Sequence, residues 1–301
     1  MTGFGTGRRV AIAAGMAVGL AFAAPAAAQV QTPEQRRCFS VMAGNVTRVD
    51  TTQARENQKC VGDYAFGKLT TMTVDDCLTA DRKGKMARLE ARISGKQLDL
   101  CSGADEPDFG FVEAPDLVAG VLAPQADFLA AVLGPIPELV IVDRTGGGNR
   151  DEAVCQNSLL KAADHVIAST LRGFGACGKK GLRSKADPFT SSADLESCIE
   201  DARVEAKTDR AVTMLSRKLA NRCTARGVDY TTVIAGDCQS EPTEAEWVEC
   251  ITEDALCEAC LALNAGYGLG LDCDEVDNGV VDGSCTGPSP TGAFVDGPIL
   301  F

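Results

Sequence analysis

The sequence predicts an all-α fold in which disulfide bonds hold two antiparallel helical hairpins. Three observations lead to this class. The chain of 301 residues carries fourteen cysteines, an even number, behind a segment with the layout of a secretory signal, so seven disulfides are expected in an oxidising compartment. The cysteine spacing occurs twice, with steps of 22, 17 and 24 residues from Cys38 and of 22, 21 and 25 residues from Cys155. Apolar residues between these cysteines recur every three or four positions, which is the period of a helix face.

Residues 1–28 have the layout of a cleaved signal peptide. Two arginines precede an apolar run over residues 10–24, and three alanines at 26–28 form a small-residue cleavage site before Gln29. The run is shorter than the ~20 residues of a membrane span, which disfavours an uncleaved anchor, and Gly7 stands where a twin-arginine signal has Ser or Thr. No later apolar stretch is judged long and uninterrupted enough to span a bilayer. We therefore expect a periplasmic or secreted protein with no membrane span after signal cleavage.

The first hairpin, residues 29–101, and the second, residues 155–223, are expected to share one helical layout through tandem duplication. A step of 22 residues returns the chain to nearly the same helix face, so the first two cysteines of each hairpin belong on one helix. The step of 24 residues misses by about 120°, which predicts a break near Gly84. The extra residues of the second copy, around Pro188, belong in a loop. Capping-box spacing marks two helix starts, at Thr73 with Asp76 and at Ser191 with Asp194.

Helix length predicts which cysteines pair. Helices of 22 to 25 residues are about 33 to 38 Å long, so two of them laid antiparallel bring the outer cysteines of a hairpin together at one end and the inner cysteines at the other. A thin hairpin has little interior of its own, and a bond at each end adds about 2 to 4 kcal/mol. The predicted pairs are Cys38 with Cys101, Cys60 with Cys77, Cys155 with Cys223, and Cys177 with Cys198.

Residues 102–154 are interpreted as an acidic linker with one or two short helices that cover the apolar faces of the hairpins. Ten acids face two bases in this segment, and its apolar stretches at 128–133 and 139–142 are separated by Gly and Pro residues. Three glycines at 146–148 mark a flexible joint before the second hairpin. No Gly-Lys-Ser/Thr follows them, so a phosphate-binding loop is disfavoured.

Charge is segregated along the chain. The formal net charge is −13, and removal of residues 1–28 with their two arginines leaves 27 − 42 = −15, which disfavours net attraction to DNA or anionic lipid. Residues 38–101 hold ten bases and eight acids, residues 155–223 hold twelve and eight, and residues 224–301 hold one and fifteen. Either the acidic segments lie against the basic helices, or the acidic segment faces outward to bind cations or a basic partner.

The C-terminal segment, residues 224–301, is expected to form a small cysteine-rich module with a flexible tail. Cys257 and Cys260 have the C-x-x-C spacing of thiol–disulfide oxidoreductases, but the flanking residues resemble one continuous helix rather than a helix start after a strand. A zinc site that adds Cys273 and Cys285 matches no standard knuckle spacing. Mutual pairing is preferred, with fifteen arrangements open among Cys238, Cys250, Cys257, Cys260, Cys273 and Cys285.

Acidic side chains at near-alternate positions make this segment a calcium candidate, and calcium is the one cofactor considered. The residues are Asp272, Asp274, Asp277, Asn278 and Asp282. A twelve-residue calcium loop beginning at Asp274 would place Val276 third and Cys285 twelfth, so two ligand positions fail. A polar turn anchored by disulfides is the preferred interpretation.

No catalytic constellation is recognised. One histidine and an aromatic content of 5% exclude His-rich metal sites and disfavour clefts that bind carbohydrate or single-stranded nucleic acid by stacking. His165 lies in mid-helix without a nucleophile motif such as G-x-S-x-G, so a solvated position is preferred. A basic run would suit an anionic polymer, but it coincides with the predicted hairpin loop, where solvated charge is the default. The run consists of Lys179, Lys180, Arg183 and Lys185.

Three segments carry a resemblance: LCSGADEPDFGF at 100–111, CLALNA at 260–265 and DCDEVDNGVVDGSC at 272–285. They resemble exported, cysteine-rich bacterial proteins with tandem cysteine-stapled helical repeats, a group without an established activity. The resemblance covers most of the mature chain and implies export and architecture, but no catalytic residues. We therefore expect a non-enzymatic binding or structural module at the cell exterior, with a protein or cell-surface partner and no nucleic acid. A calcium-binding adhesion or matrix component and a thiol–disulfide oxidoreductase using Cys257 and Cys260 are the alternatives.

Overall fold

A computed structural model describes residues 30–134, 137, 140–144 and 150–285, so the predicted signal peptide and the predicted C-terminal tail lie outside the described residues. Within these ranges the chain forms nine α-helices and short 3-10 turns, without a β-strand, and the predicted all-α class is confirmed. The helices are α1 (Pro33–Ala65), α2 (Val74–Thr79), α3 (Lys85–Leu100), α4 (Ala114–Leu133), α5 (Arg150–Gly181), α6 (Ser192–Glu196), α7 (Ala202–Arg222), α8 (Glu244–Tyr267) and α9 (Cys273–Asn278).

The two long helices, α1 and α5, each carry the first two cysteines of a hairpin without interruption, as the 22-residue spacing predicts. α1 begins at a capping box: the Thr32 hydroxyl accepts from the Gln35 backbone N–H, and the Gln35 side chain accepts from the Thr32 N–H. Nineteen of the 32 residues of α5 are buried. α5 is therefore the central helix of the molecule, and most of its surface is covered by other helices.

A short helix and a return helix follow each long helix. The predicted break is found at Gly84, whose φ of 59° lies in the left-handed region, directly before α3. The second hairpin differs from the expected single return helix, because a 3-10 turn at Ser197–Glu200 and the N-cap Asp201 come before α7. Asp201 accepts a hydrogen bond from the Arg203 backbone N–H and thus starts a new helix.

All fourteen cysteines form disulfides within the described residues. The bonds of the two hairpins join Cys38 to Cys101, Cys60 to Cys77, Cys155 to Cys223 and Cys177 to Cys198, the same pairs that helix length predicts. The C-terminal bonds, which spacing left open, join Cys238 to Cys250, Cys257 to Cys285 and Cys260 to Cys273.

Two core helices occupy the segments interpreted as an acidic linker and a small C-terminal module. The linker does not hold short helices: α4 has 20 residues and buries Leu117, Val121 and Phe128. α8 has 24 residues and buries its apolar side chains in the same way. One continuous hydrophobic core includes residues of both hairpins, α4 and α8, whereas a small separate cluster contains Cys260, Cys273 and Cys285. These segments complete the interior of the hairpins rather than merely cover them.

The expectation that no later apolar stretch is long enough to span a bilayer was wrong for α4. By length and composition it is apolar enough to cross a membrane, with a mean hydropathy of 1.5 over an 18-residue window. Half of that window is buried inside the protein, and a core helix meets the same criterion. α4 crosses α8 closely at Gly120, where a Cβ atom would lie 2.5 Å from the Cβ of Ala265.

Gly236 lies where the chain after the second hairpin presses on the end of α4. A Cβ atom at this position would lie 1.4 Å from the Ala131 carbonyl oxygen, so the backbone would have to move. We expect Gly236→Ala to lower the free energy of unfolding in urea by about 2 kcal/mol. Gly95→Ala in α3 is the matched control, because its Cβ meets no atom within 4 Å and alanine should stabilise the helix by up to about 1 kcal/mol. Wild-type stability of Gly236→Ala would contradict this close approach.

Candidate functional site

A groove of about 470 Å³ runs between α1 and α5. Its floor is made of small residues, including Gly44 and Gly175, and three threonines of α1 lie along its side. A Cβ atom at position 175 would lie 3.2 Å from the buried Tyr267 hydroxyl oxygen, so glycine lets α5 pack closely on Tyr267 here. Four basic side chains line this groove, which we call the basic groove: Arg48, Arg55, Arg172 and Lys179.

Helix geometry explains how these four residues come to face one another. Arg48 and Arg55 are seven residues apart on α1, and Arg172 and Lys179 are seven residues apart on α5. Seven residues are close to two helical turns, so both members of each pair lie on the same face of their helix. Since α1 packs along α5, the two pairs meet across the groove.

The four side chains of the basic groove form no direct ion pair in the described part of the chain. Among the described residues, the ion pairs within 4.0 Å involve other side chains than these four. Arg48 donates instead to the Asn45 side-chain oxygen at 3.3 Å, and Arg172 donates to the Ser169 hydroxyl at 3.4 Å. Partial burial lowers the pKa of Lys179, and the neighbouring charge of Arg183 lowers it further. The groove thus concentrates positive charge on an acidic protein, with buried Asp50 close enough to Arg172 to interact with it.

Of the basic run predicted from the sequence, Lys179 lines this groove, whereas Lys185 is exposed in the loop after α5. Lys179 and Lys180 belong to the last turn of α5 rather than to the hairpin loop, and Arg183 follows in the loop, where it donates to the Ser40 hydroxyl at 3.3 Å. His165 is half-buried in mid-helix, and its Nδ1 lies 3.4 Å from Nη2 of Arg172. Burial and the Arg172 charge lower the His165 pKa, which favours the neutral imidazole.

Three carboxyl groups lie in the interior of the bundle, on α1, α5 and α8. Asp50 is 1% exposed, Asp164 is 7% exposed and Glu258 is 2% exposed; we call them the buried acidic layer. Asp164 accepts hydrogen bonds from the side-chain amides of Gln58, at 2.5 Å, and of Gln125, at 3.3 Å. Both oxygens of Asp50 and both of Glu258 have no hydrogen-bond partner among the described residues. A buried ionised carboxylate without partners is costly, so this layer favours neutral acids.

The pKa values follow from this environment. Burial raises the pKa of Asp164 to about 7. Burial also raises the pKa of Asp50, and the Asp164 charge raises it further, while the charge of Arg172 in the groove opposes that rise. The pKa of Glu258 is raised by burial first and then by the charges of Asp50 and Asp164. Ionisation of any one acid therefore makes ionisation of the others harder.

The calcium candidate forms a compact polar turn. Asp274 accepts backbone hydrogen bonds from Gly283 and Cys285 at 2.8 to 3.0 Å, and Asp277 accepts from the Ser284 hydroxyl at 2.8 Å. Asn278 and Asp282 likewise accept from backbone N–H groups two residues ahead. In the described part of the chain, three potential metal-ligand atoms lie within 4.8 Å only at Cys238, Cys250 and Asp254, where the two sulfurs are bonded to each other. Asp272 and its neighbours thus adopt the disulfide-anchored turn preferred above.

The C-x-x-C segment forms two separate bonds. Cys257 is bonded to Cys285, and Cys260, which is fully buried, is bonded to Cys273. A C-x-x-C oxidoreductase cycles a bond between its own two cysteines, and zinc binding needs free thiolates. This pairing therefore does not support the oxidoreductase or zinc alternative.

Sequence reasoning missed the two features that dominate the site. The signal for the basic groove was the seven-residue spacing of the arginines on α1 and of Arg172 and Lys179 on α5. The signal for the buried acidic layer was the position of Asp50 directly after Val46 and Val49, on the apolar face of α1. Neither signal shows which other helix packs against the helix face that carries these residues, or whether that face stays exposed.

The fold and site together define a class: an all-α, disulfide-rich protein with a basic groove between its two long helices. Comparison with known proteins adds no narrower assignment, because no family model, no curated protein and no solved structure matches the chain.

Proposed function

We propose that this protein is an exported, non-enzymatic binding module that holds an anionic ligand in the basic groove. The observation that carries the proposal is the set of four basic side chains along one open groove, none of which forms an ion pair within 4.0 Å among the described residues. In a chain with a formal net charge of −13, such a grouping concentrates positive potential at one place and attracts anions there.

The groove has the chemistry for binding carboxylate, sulfate or phosphate groups. Its three guanidinium groups offer paired N–H donors that match the oxygens of these anions, and the Lys179 ammonium adds a further charge. Hydroxyl groups of Thr47, Thr51 and Thr52 lie on the same wall and can donate to anion oxygens. The volume of about 470 Å³ falls in the range of small-molecule sites.

Two further observations support binding outside the cytoplasm without catalysis. The lining residues include no carboxylate or imidazole that would act as a general base in the groove. All fourteen cysteines are bonded, as expected in a non-reducing compartment. The signal peptide and the duplication remain predictions from the sequence.

Reversal of groove charge should abolish most anion binding. We expect the double variant Arg48→Glu with Arg172→Glu to bind citrate at least tenfold more weakly than the wild type in low-salt calorimetry, a loss of about 1.4 kcal/mol or more. The matched control is Arg92→Glu with Lys96→Glu, which makes the same change of net charge on the exposed face of α3. Near-ultraviolet circular dichroism checks that both variants are folded. An equal loss in the control, or no citrate binding by the wild type, would contradict the proposed site.

A further inference from the structure

The basic charge of the groove continues along the exposed face of α5. Lys161, His165, Arg172 and Lys179 are separated by four, seven and seven residues, so they lie within about 40° of one another around the helix axis. Each is partly or fully exposed, and the carboxylate of α5 within this span, Asp164, is buried. We call this row the basic stripe; its 18 helical steps correspond to about 27 Å.

A second recess extends the same surface on the far side of α5. This recess has a volume of about 290 Å³, lies between α5 and α7, and is lined in part by Lys161, His165 and Lys218. The 3.4 Å contact between His165 and Arg172 joins this recess to the basic groove across α5. The two hollows thus form one basic path that is longer than a small anion.

The spacing of the charges indicates which polymer fits. The cations of the stripe, Lys161, Arg172 and Lys179, are about 16 and 10 Å apart along the axis, whereas a DNA strand carries one phosphate every ~3.4 Å. The lining residues of both hollows include no Phe, Tyr or Trp, so bases lack the large stacking platforms of single-strand binders. An acidic polysaccharide with one carboxylate or sulfate per repeat of two sugars carries widely spaced charges on a single extended chain. Such a chain is held by charge pairing, so the low aromatic content does not oppose its binding.

We infer that the anionic ligand is a linear acidic polysaccharide, which lies in the basic groove and continues along the basic stripe to Lys161 and Lys218. The inference rests on the proposed function and deepens it. A single chain can lie along this path, whereas duplex DNA or an anionic membrane brings a much larger negative surface towards a protein of formal net charge −13, against repulsion.

Oligosaccharides of hyaluronate, which carry one carboxylate per two sugars, test the inference by calorimetry at low salt. We expect the decasaccharide to bind the wild-type protein at least tenfold more tightly than the disaccharide after correction for the number of binding registers. Lys161→Glu with Lys218→Glu should weaken decasaccharide binding at least tenfold and leave disaccharide binding within twofold. Arg48→Glu with Arg172→Glu should weaken binding of both, and neutral dextran should not bind.

Several outcomes overturn the inference. They are equal affinity for the two oligosaccharides, wild-type decasaccharide binding by the Lys161/Lys218 variant, and binding of a 20-base-pair DNA or of phosphatidylglycerol vesicles as tight as that of the decasaccharide. If the wild type still binds citrate and the groove variant does not, any of these outcomes leaves the proposed function standing and removes only the polysaccharide. If the wild type does not bind citrate, both the proposed function and the polysaccharide inference are wrong.

Discussion

Raising the pH from 5 to 8 is expected to lower the free energy of unfolding by at least about 5 kcal/mol, because the unfolded chain ionises carboxyl groups that burial keeps largely protonated in the folded protein. The folded-state pKa of Asp164 is raised to about 7, above its unfolded value. The stability from this group is therefore complete at low pH and is lost as the pH rises towards 7. From pH 5 to 8, Asp164 alone accounts for about 2.5 kcal/mol of this loss.

Other titrating groups also contribute to the change in unfolding free energy between pH 5 and 8. Burial and nearby acids raise the pKa of Asp254 to about 7, which adds to the loss. Hydrogen bonds from Arg203 lower the pKa of Asp201 to about 2. Its stabilisation is therefore fully present above pH 5 and falls only at lower pH, so it does not change between pH 5 and 8. The lowered pKa of His165 acts against the loss, but that side chain is only half-buried and solvent screens its effect. Urea unfolding at each half pH unit measures the sum.

Glu258→Gln isolates the buried acidic layer. Glutamine has the same shape and cannot ionise, so we expect the variant to be more stable than the wild type at pH 8 by about 1 to 3 kcal/mol and close to it at pH 5. Glu249→Gln, on the exposed side of the same helix, is the control and should leave the pH curve unchanged. Parallel pH curves for Glu258→Gln and the wild type would show that Glu258 does not take part.

Removal of the disulfide that closes the second hairpin is expected to cost about 4 kcal/mol. Cys155 and Cys223 are 68 residues apart, so their bond removes much of the freedom of the unfolded chain. For Cys155→Ala with Cys223→Ala, thermal unfolding should show a Tm lower by about 12 °C, at about 3 °C per kcal/mol for a chain of this size.

The disulfide that closes the shortest loop serves as the comparison. Cys238 and Cys250 are 12 residues apart, and their replacement by alanine should cost about 3 kcal/mol on the same chain-entropy argument. If the short loop costs as much as the long one, entropy of the unfolded chain does not account for the stabilisation.

Helix periodicity made the hairpins predictable. A step of 22 residues determines both the face and the length of a helix. The pairing of Cys60 with Cys77, and of Cys177 with Cys198, could therefore be predicted from residue spacing. The continuous return helix from Cys198 was wrong, because the local hydrogen bond of Asp201 starts a new helix at a point that the cysteine spacing does not reveal.

Features that depend on neighbours could not be predicted. α4 includes Pro124, which removes one backbone hydrogen bond, and its full length became evident only from its burial against α8. The buried acidic layer joins Asp50, Asp164 and Glu258 from three distant parts of the chain. A sequence examined one helix at a time places Asp50 on an apolar face, but it does not show that Asp164 and Glu258 lie beside it.

The seven bonds have an order that bears on biogenesis. Each pair either encloses another or follows it along the chain, and no two bonds cross; Cys38–Cys101 encloses Cys60–Cys77, and Cys257–Cys285 encloses Cys260–Cys273. A chain emerging N-terminus first exposes Cys38 and Cys60 to oxidants before their true partners arrive. Formation of α1 separates those two thiols by about 33 Å. A helix that forms early in the emerging chain therefore prevents a non-native bond between Cys38 and Cys60 before the hairpin closes.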